Sequence, residues 1–516
     1  MNVLIVSFFN TWVTHLGTEL EIAEKHLKNG DSVTFLSCDG SVGSCMNNPL
    51  GSVDICSQCR LKRLDGIGQL SGEVAVYSLN SPLSQNEALD AACIPDSPSI
   101  DDYKALKYKG HDLGWAALSS TNMLYRDPLC DSTEAMQSAR TFLGAAIRSY
   151  EGTRKFLQRH PDFDCGYVFN GRFAVTRGAF RALQDAKIEV YTHERGSSKN
   201  RYQVYPDTFP HDLTLFQERV REAWLNSDDL ELRDKTAHAF FEERKRGQTA
   251  NWKSFTDKQV VGVLPRQWDN KKQNIGIFNS SEDELASIGD FFADPVYPSQ
   301  AIAVSRIAAD TLAAGKPIHY YLRIHPNLAE LENSSLANLL ALDSPNLTII
   351  DADDSISTYC LLDACDRILT FGSTVGVEAT YWGKPSILTG ASFYDNLNVA
   401  YRAETHEEVM DLLLDDQLAP KDRLGALKYG YYARTCGISF EHWKPQDLES
   451  GSFKDMFIGN GVLHTKNRPP KHIEIFLALT RFCKSQPSIR AADRVAGCLS
   501  TLHRRLKKLL DCVGFR

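Results

Sequence analysis

From residue 273 onward the chain alternates short apolar runs with helical stretches: NIGIF, IHYYLRI, LTII, RILTF and PSIL, each followed by a segment of helical periodicity. Runs of this length, rich in β-branched and aromatic residues and lacking polar alternation, mark strands buried on both faces. Parallel strands need crossovers, and the intervening helices supply them. The alternation therefore restricts this half to a doubly wound α/β unit, whose ligands bind beyond the carboxyl ends of its strands. The N-terminus opens in the same way: NVLIVSF, a helical GTELEIAEKHLKNG with a glycine stop, then DSVTFLSC. Residues 38 to about 130 read as loops and short helices, after which a long helix, the strand CGYVFN, a second helix and KIEVYTHERG resume the α/β rhythm.

A chain of 516 residues is too long for one core. We expect two Rossmann-like domains facing across a cleft, residues 1–260 and 272–480, joined through PRQWDNKKQN. Residues 481–516 form a basic amphipathic pattern with Leu499, Leu502, Leu506, Leu509 and Leu510 on one side. Such a helix either packs on the body or makes a peripheral contact with anionic lipid. The first residues lack a basic leader and no apolar run reaches about 18 residues, so a cytoplasmic protein is expected, placed at the inner face of the membrane if the last helix binds lipid. A net charge of −8 argues against nucleic acid as a partner, while a local pocket can still take an anion.

Three strand ends of the second half carry polar residues: Asn279, Ser280 and Ser281; Arg323 and His325; Gly372, Ser373 and Thr374. Glycine permits a tight turn out of the last strand, and a helix starting at Ser-Thr offers free backbone N–H groups to an anion. Glu378, one turn deeper, is suited to accept hydrogen bonds from paired hydroxyls such as those of a ribose. Helix capping and a favourable charge near the dipole explain the same residues without a ligand.

The stretch YYLRIHPN, followed by SISTYCLLDACDRILTFGSTVGVEATYWGKPSI, resembles the nucleotide-binding half of GT-B fold glycosyltransferases, in particular the group building bacterial capsule and related surface polysaccharides, which includes the Kdo transferases. The resemblance covers about residues 272 to 390. It implies a nucleotide-sugar donor (CMP-, UDP- or GDP-linked) and a glycan or lipid-linked glycan acceptor. His325, Ser373 and Thr374 would contact the donor phosphate, with Arg323, Ser280 and Ser281 beside them, and Glu378 would hold the ribose. VFNGRFAVTRGAFRALQDAKIEVYTHERG resembles the acceptor-side element, which would place Asn170, Arg172, Glu194 and Arg195 on the cleft wall. Removing the acceptor proton needs a base. Glu194 comes first, then Asp112 and His15. No Asp-x-Asp stands in a suitable loop, so catalysis without a metal is expected. A sugar-nucleotide epimerase, a polyol-phosphate transferase and a non-catalytic scaffold subunit remain as alternatives on the same fold.

Cys38, Cys45, Cys56 and Cys59 depart from that pattern. Their C-x6-C-x10-C-x2-C spacing suits a structural tetrahedral zinc, with an iron–sulfur cluster or unligated thiols as the other readings.

Overall fold

A computed structural model describes residues 1–248, 259–329 and 331–459. The predicted helix at 481–516 lies outside the described residues. Strands β1 (Asn2–Ser7), β2 (Ser32–Ser37), β3 (Ala75–Ser78), β4 (Cys165–Phe169), β5 (Glu189–Arg195) and β6 (Arg201–Pro206) form the first sheet. Their order is β6-β5-β4-β1-β2-β3, parallel except for β6. Strand β1 buries five of its six residues, as its unbroken apolar run requires.

The second sheet holds β7 (Gln273–Phe278), β8 (Ile318–Arg323), β9 (Leu347–Ile350), β10 (Arg367–Thr370), β11 (Ser386–Leu388) and β12 (Tyr401–Arg402). It runs β12-β11-β10-β7-β8-β9, all parallel. Strand order therefore reverses between β1 and β4 in one sheet and between β7 and β10 in the other. These are the two Rossmann-like sheets expected of a GT-B layout.

Three local expectations need correction. Residues 38–130 hold the expected helices, Val53–Ile67, Gln85–Ala92, Ile100–Ala105 and Leu113–Tyr125, but also strand β3, so the cysteine segment lies within a β–α–β crossover. Strand β3 escaped notice because its AVYS is short and exposed at the sheet edge. The helices Leu213–Leu225 and Leu230–Lys245 fall within the predicted first domain but pack on the second, where Phe241 stacks on Tyr381 with ring centroids 4.0 Å apart.

The chain also returns to the first unit after residue 435. Strand β13 (Ile438–Ser439) pairs with β6, and a meander of β14 (Trp443–Pro445), β15 (Gly451–Phe453) and β16 (Met456–Ile458) covers helix Val13–Lys28. Glu21 on that helix explains the return: its buried carboxylate accepts the backbone N–H groups of Glu441, His442 and Trp443 at 2.8–3.0 Å. Direct bonds also join the units at the cleft: Asn122 Nδ2 donates to Ser287 Oγ at 2.6 Å, and Ser334 donates twice to Asp127, at 2.6 and 3.0 Å. No helix among the described residues is long and apolar enough to cross a membrane.

Candidate functional site

At the carboxyl edge of the second sheet, the register sets Phe278 level with both Thr370 and Arg323, so the residues after β7, β8 and β10 emerge side by side. Gly372 leaves β10 at φ +125°, and a Cβ there would stand 2.7 Å from the Ala391 carbonyl oxygen. The turn thus requires glycine. Next to it, the backbone N–H of His325 donates to Asn279 Oδ1 at 2.7 Å, tying the β8 end to the β7 end. The His325 Nδ1 accepts from Asn327 N at 3.1 Å, with Pro326 opening a short 3-10 turn. Ser280 is fixed by Gln300, whose Oε1 accepts from Ser280 N and whose Nε2 donates to Ser280 Oγ, both at 3.0 Å. The Ser281 hydroxyl donates to Asp283.

A cavity of about 360 Å³ opens where the strand order reverses between β7 and β10. The second unit lines it with Ser280, Ser281, Gln300, Phe371 and Ala391, and the first unit closes it with Trp115, Asn122 and Cys130. That size and position are those of a small-molecule site in an open α/β sheet. Of the donor-side residues expected from sequence, Ser280 and Ser281 line this cavity. His325, Ser373 and Thr374 stand on the same sheet edge but not on its wall.

Two donor-side expectations fail. The Glu378 side chain is 2% exposed, and its Oε1 accepts from Arg244 at 3.0 and 3.2 Å while Oε2 accepts from the Tyr359 hydroxyl. That carboxylate is consumed by the packing and is not open to a ribose. Arg244, supplied by the helix Leu230–Lys245 that crosses to this unit, is the reason; the carboxylate beside it raises the Arg244 pKa. Arg323 is 2% exposed and donates to the carbonyls of Asp351 and Asp354, pinning the turn after β9 and not a phosphate.

The first sheet's carboxyl edge has a different chemistry. Asn170, with φ +56°, turns the chain after β4 and donates from Nδ2 to Glu194 Oε2 at 2.6 Å. Its own Oδ1 accepts from Arg172 N at 3.2 Å, and the Arg172 guanidinium lies over the Phe173 ring. Burial opposes ionisation of Glu194, yet the charges of His15 and Arg195 and the hydrogen bonds from Arg195 N and Asn170 outweigh it, holding the carboxyl down at about 2. His15, 5% exposed, lies against Phe169 with centroids 3.7 Å apart. Its Nδ1 has no hydrogen-bond partner among the described residues. Burial pushes its pKa down to about 4, so the imidazole is neutral at physiological pH.

The edge gathers two further histidines that the sequence reading passed over. His193 and His211 are both pushed by burial to about 3. His193, which like His15 packs against Phe169, stands 4.0 Å from Glu19, a fully buried carboxyl raised to about 8 by desolvation and hydrogen-bonded by Ser7 and Asn10. Alternation along β5 was the available signal, since adjacent His193 and Glu194 must face opposite sides.

Asp112 is corrected outright. It precedes helix Leu113–Tyr125 and binds Arg177 at 2.8 Å and Arg181 at 2.9 and 3.0 Å. Burial opposes its ionisation, but the two guanidinium groups hold it at about 2. It serves as a structural anchor. Arg177 also donates to the Ile288 carbonyl at 3.2 Å, linking this edge to the segment that carries the cavity wall.

The four cysteines converge. Cys38, Cys45, Cys56 and Cys59 line one small cavity at the carboxyl ends of β1 and β2, and all are free thiols.

No protein-family model matches the chain, and no curated protein matches it. Solved structures do. A β-Kdo 2,4 transferase, KpsC of Thermosulfurimonas dismutans, aligns at 15% identity over 52% of this chain and 79% of its own, with a TM-score of 0.37. A UDP-GlcNAc 2-epimerase of Neisseria meningitidis bound to UDP-GlcNAc aligns at 10% identity over 84% and 97%, with a TM-score of 0.28. Arabidopsis thaliana UGT89C1 complexed with UDP aligns at 12% identity over 84% and 94%, with a TM-score of 0.26. All three are matched at scores too low to speak for the activity of this chain.

Proposed function

We infer that this chain is a glycosyltransferase that moves a sugar from a nucleotide-sugar donor to a hydroxyl of a glycan or lipid-linked glycan, in the synthesis of a bacterial surface polysaccharide. The observation that carries the reading is the cavity at the strand-order reversal of the second sheet, closed by residues of the first unit. A nucleotide sugar would lie there, with the Ser280 hydroxyl donating to it and Ser281 on the wall beside it, while His325, Ser373 and Thr374 extend the polar edge along which phosphates can bind. The residues of the first edge would handle the acceptor. His15 is the base this reading favours over Glu194, because its imidazole is neutral whereas the Glu194 carboxyl is held down at about 2 and is the weaker base. It takes the acceptor proton as the new C–O bond forms and the nucleotide leaves with the electrons of the old one. Glu194, ionised throughout the neutral range, then steadies the imidazolium. Backbone amides and hydroxyls at the second edge would offset the leaving phosphate's charge without a divalent ion. Such an enzyme would work in the cytoplasm at the inner membrane face, where lipid-linked glycans grow.

The test is a thermal-shift panel of CMP, UDP, GDP and ADP, followed by product analysis of the matching nucleotide sugar with and without acceptor and with a chelator. A ligand at one hundred times its dissociation constant stabilises by about 2.7 kcal/mol. One nucleotide should raise the melting temperature, and transfer should need acceptor and survive chelation. A donor converted in the absence of acceptor would make the chain an epimerase, and no response to any nucleotide would remove the reading altogether.

A further inference from the structure

We propose that Cys38, Cys45, Cys56 and Cys59 form a structural tetrathiolate metal site, occupied by zinc, that fastens the loop after β2 to the helix Val53–Ile67. The four come from separate places in the chain: Cys38 just beyond the carboxyl end of β2, Cys45 in a loop closed by paired bonds with Asn48, and Cys56 and Cys59 three residues apart on one helix face. Nevertheless they share one cavity of about 30 Å³, the space of a single water or ion.

Polar groups already surround the sulfurs. Asn48 Nδ2 donates to Cys56 Sγ at 3.1 Å, the Gly40 amide is directed at Cys38, and the Asn47 and Asn48 amides at Cys45. These contacts orient the sulfurs, while burial pushes the Cys38, Cys45 and Cys59 thiols up from their ordinary values. The wall also carries positive charge. Arg63, 2% exposed, lies on the cavity wall, bonded to Asn10 and Asp39, with Arg60 beside it and Lys62 in the same turn. Four thiolates around a divalent cation carry a net −2, which these cations would meet. On binding, each thiol gives its proton to solvent and its sulfur lone pair to the metal, with no change of oxidation state.

The thiols stand wider than in a closed site. Among the described residues, Glu21, Glu441 and His442 are the group whose donor atoms lie within 4.8 Å of one another, and Glu21 is already committed to three backbone N–H groups. The four cysteines nonetheless line one cavity, and binding a metal would have to draw their sulfurs together.

The test is elemental analysis of the full chain purified after expression with zinc. One zinc per chain is expected, lost in the Cys56→Ser/Cys59→Ser double variant; cobalt exchange should give sulfur-to-cobalt charge-transfer absorption. Should that variant fail to fold, chelation of the wild-type chain replaces it. The four thiols should then become alkylable, the melting temperature should fall, and zinc should reverse both. A metal-free chain, zinc retained by the folded double variant, or a disulfide between any two of the four would overturn the proposal.

Discussion

The two carboxyl edges that meet at the cleft are built on opposite principles. Along the first sheet, burial displaces the titratable groups: His15, His193 and His211 are held neutral and Glu19 is held protonated, while Glu194, beside Arg195, and Asp112, between Arg177 and Arg181, stay ionised. Along the second sheet the charges are satisfied: Arg244 and Tyr359 close around Glu378, and Arg323 is spent on backbone carbonyls. What remains open there is backbone, hydroxyl and amide, together with the acidic residues Glu282, Asp290 and Asp294 on the cavity wall. Groups whose proton affinities are displaced by their surroundings are the ones equipped to move protons. An edge of satisfied charges and oriented dipoles is equipped to bind and hold still. On the proposed glycosyl-transfer reading, the first unit would move the proton and the second would bind the donor.

The largest expected effect tests that division directly. His15→Ala should lower kcat by about 100- to 10,000-fold, the range of a lost general base, with nucleotide affinity unchanged. Because His15 is neutral above about pH 4, the wild-type rate should be flat from pH 5 to 8 and fall only in acid. A variant that binds donor tenfold more weakly, or retains full turnover, breaks the assignment.

Glu19 tests the strain stored in the first edge. Its folded pKa of about 8 exceeds the ordinary 4.5, so the stabilisation of its protonated form is complete below pH 4.5 and is lost as pH rises to 8. Denaturant titrations should show Glu19→Gln gaining about 4 kcal/mol relative to wild type between pH 4.5 and pH 8. Equal stabilities at both ends would mean that the carboxyl ionises within the native protein. The buried histidines work oppositely. Their depressed pKa values contribute stability above pH 6.5 that is lost as pH falls towards 3.

At the second edge the corresponding experiment is Glu378→Gln. It leaves Arg244 facing a neutral amide and should cost roughly 3 kcal/mol of stability, as expected when one partner of a buried ion pair is removed. Nucleotide affinity should not change. If instead stability holds and affinity falls, the carboxylate reaches the ribose after all and the satisfied-edge description is wrong.

The alternation of apolar runs and helices made both sheets legible, because strands buried on two faces must be written in continuous apolar residues. Asn170 and Glu194 were legible as polar residues at strand ends, and His15 as one in the first turn of the helix after β1. What escaped is what depends on chain crossing. Glu378 looked available because nothing near it in sequence neutralises it; its partners are Arg244, 134 residues earlier, and Tyr359 on another helix. Arg323 looked like a phosphate donor because a lone arginine beside a His-Pro turn carries no sign of the carbonyls it will meet. The cavity wall at Trp115 and Asn122 lies on a helix buried through most of its length, which gives no face to read.

The smallest effect locates the donor. Ser280 lines the cavity, whereas Ser373 lies off its wall, its carbonyl held by the Tyr394 hydroxyl at 2.7 Å. Ser280→Ala removes one hydroxyl and releases the Gln300 amide from it, so titration calorimetry should show about five-fold weaker nucleotide binding, the net worth of one hydrogen bond of about 1 kcal/mol. Ser373→Ala separates two positions for the phosphates. If they occupy the cavity, its affinity stays at the wild-type value; if they lie at the start of helix Val375–Tyr381, the two variants exchange roles. The second outcome would keep the division of labour between the edges but shift the nucleotide along the sheet, with its sugar, not its phosphates, filling the space between Phe371 and Trp115.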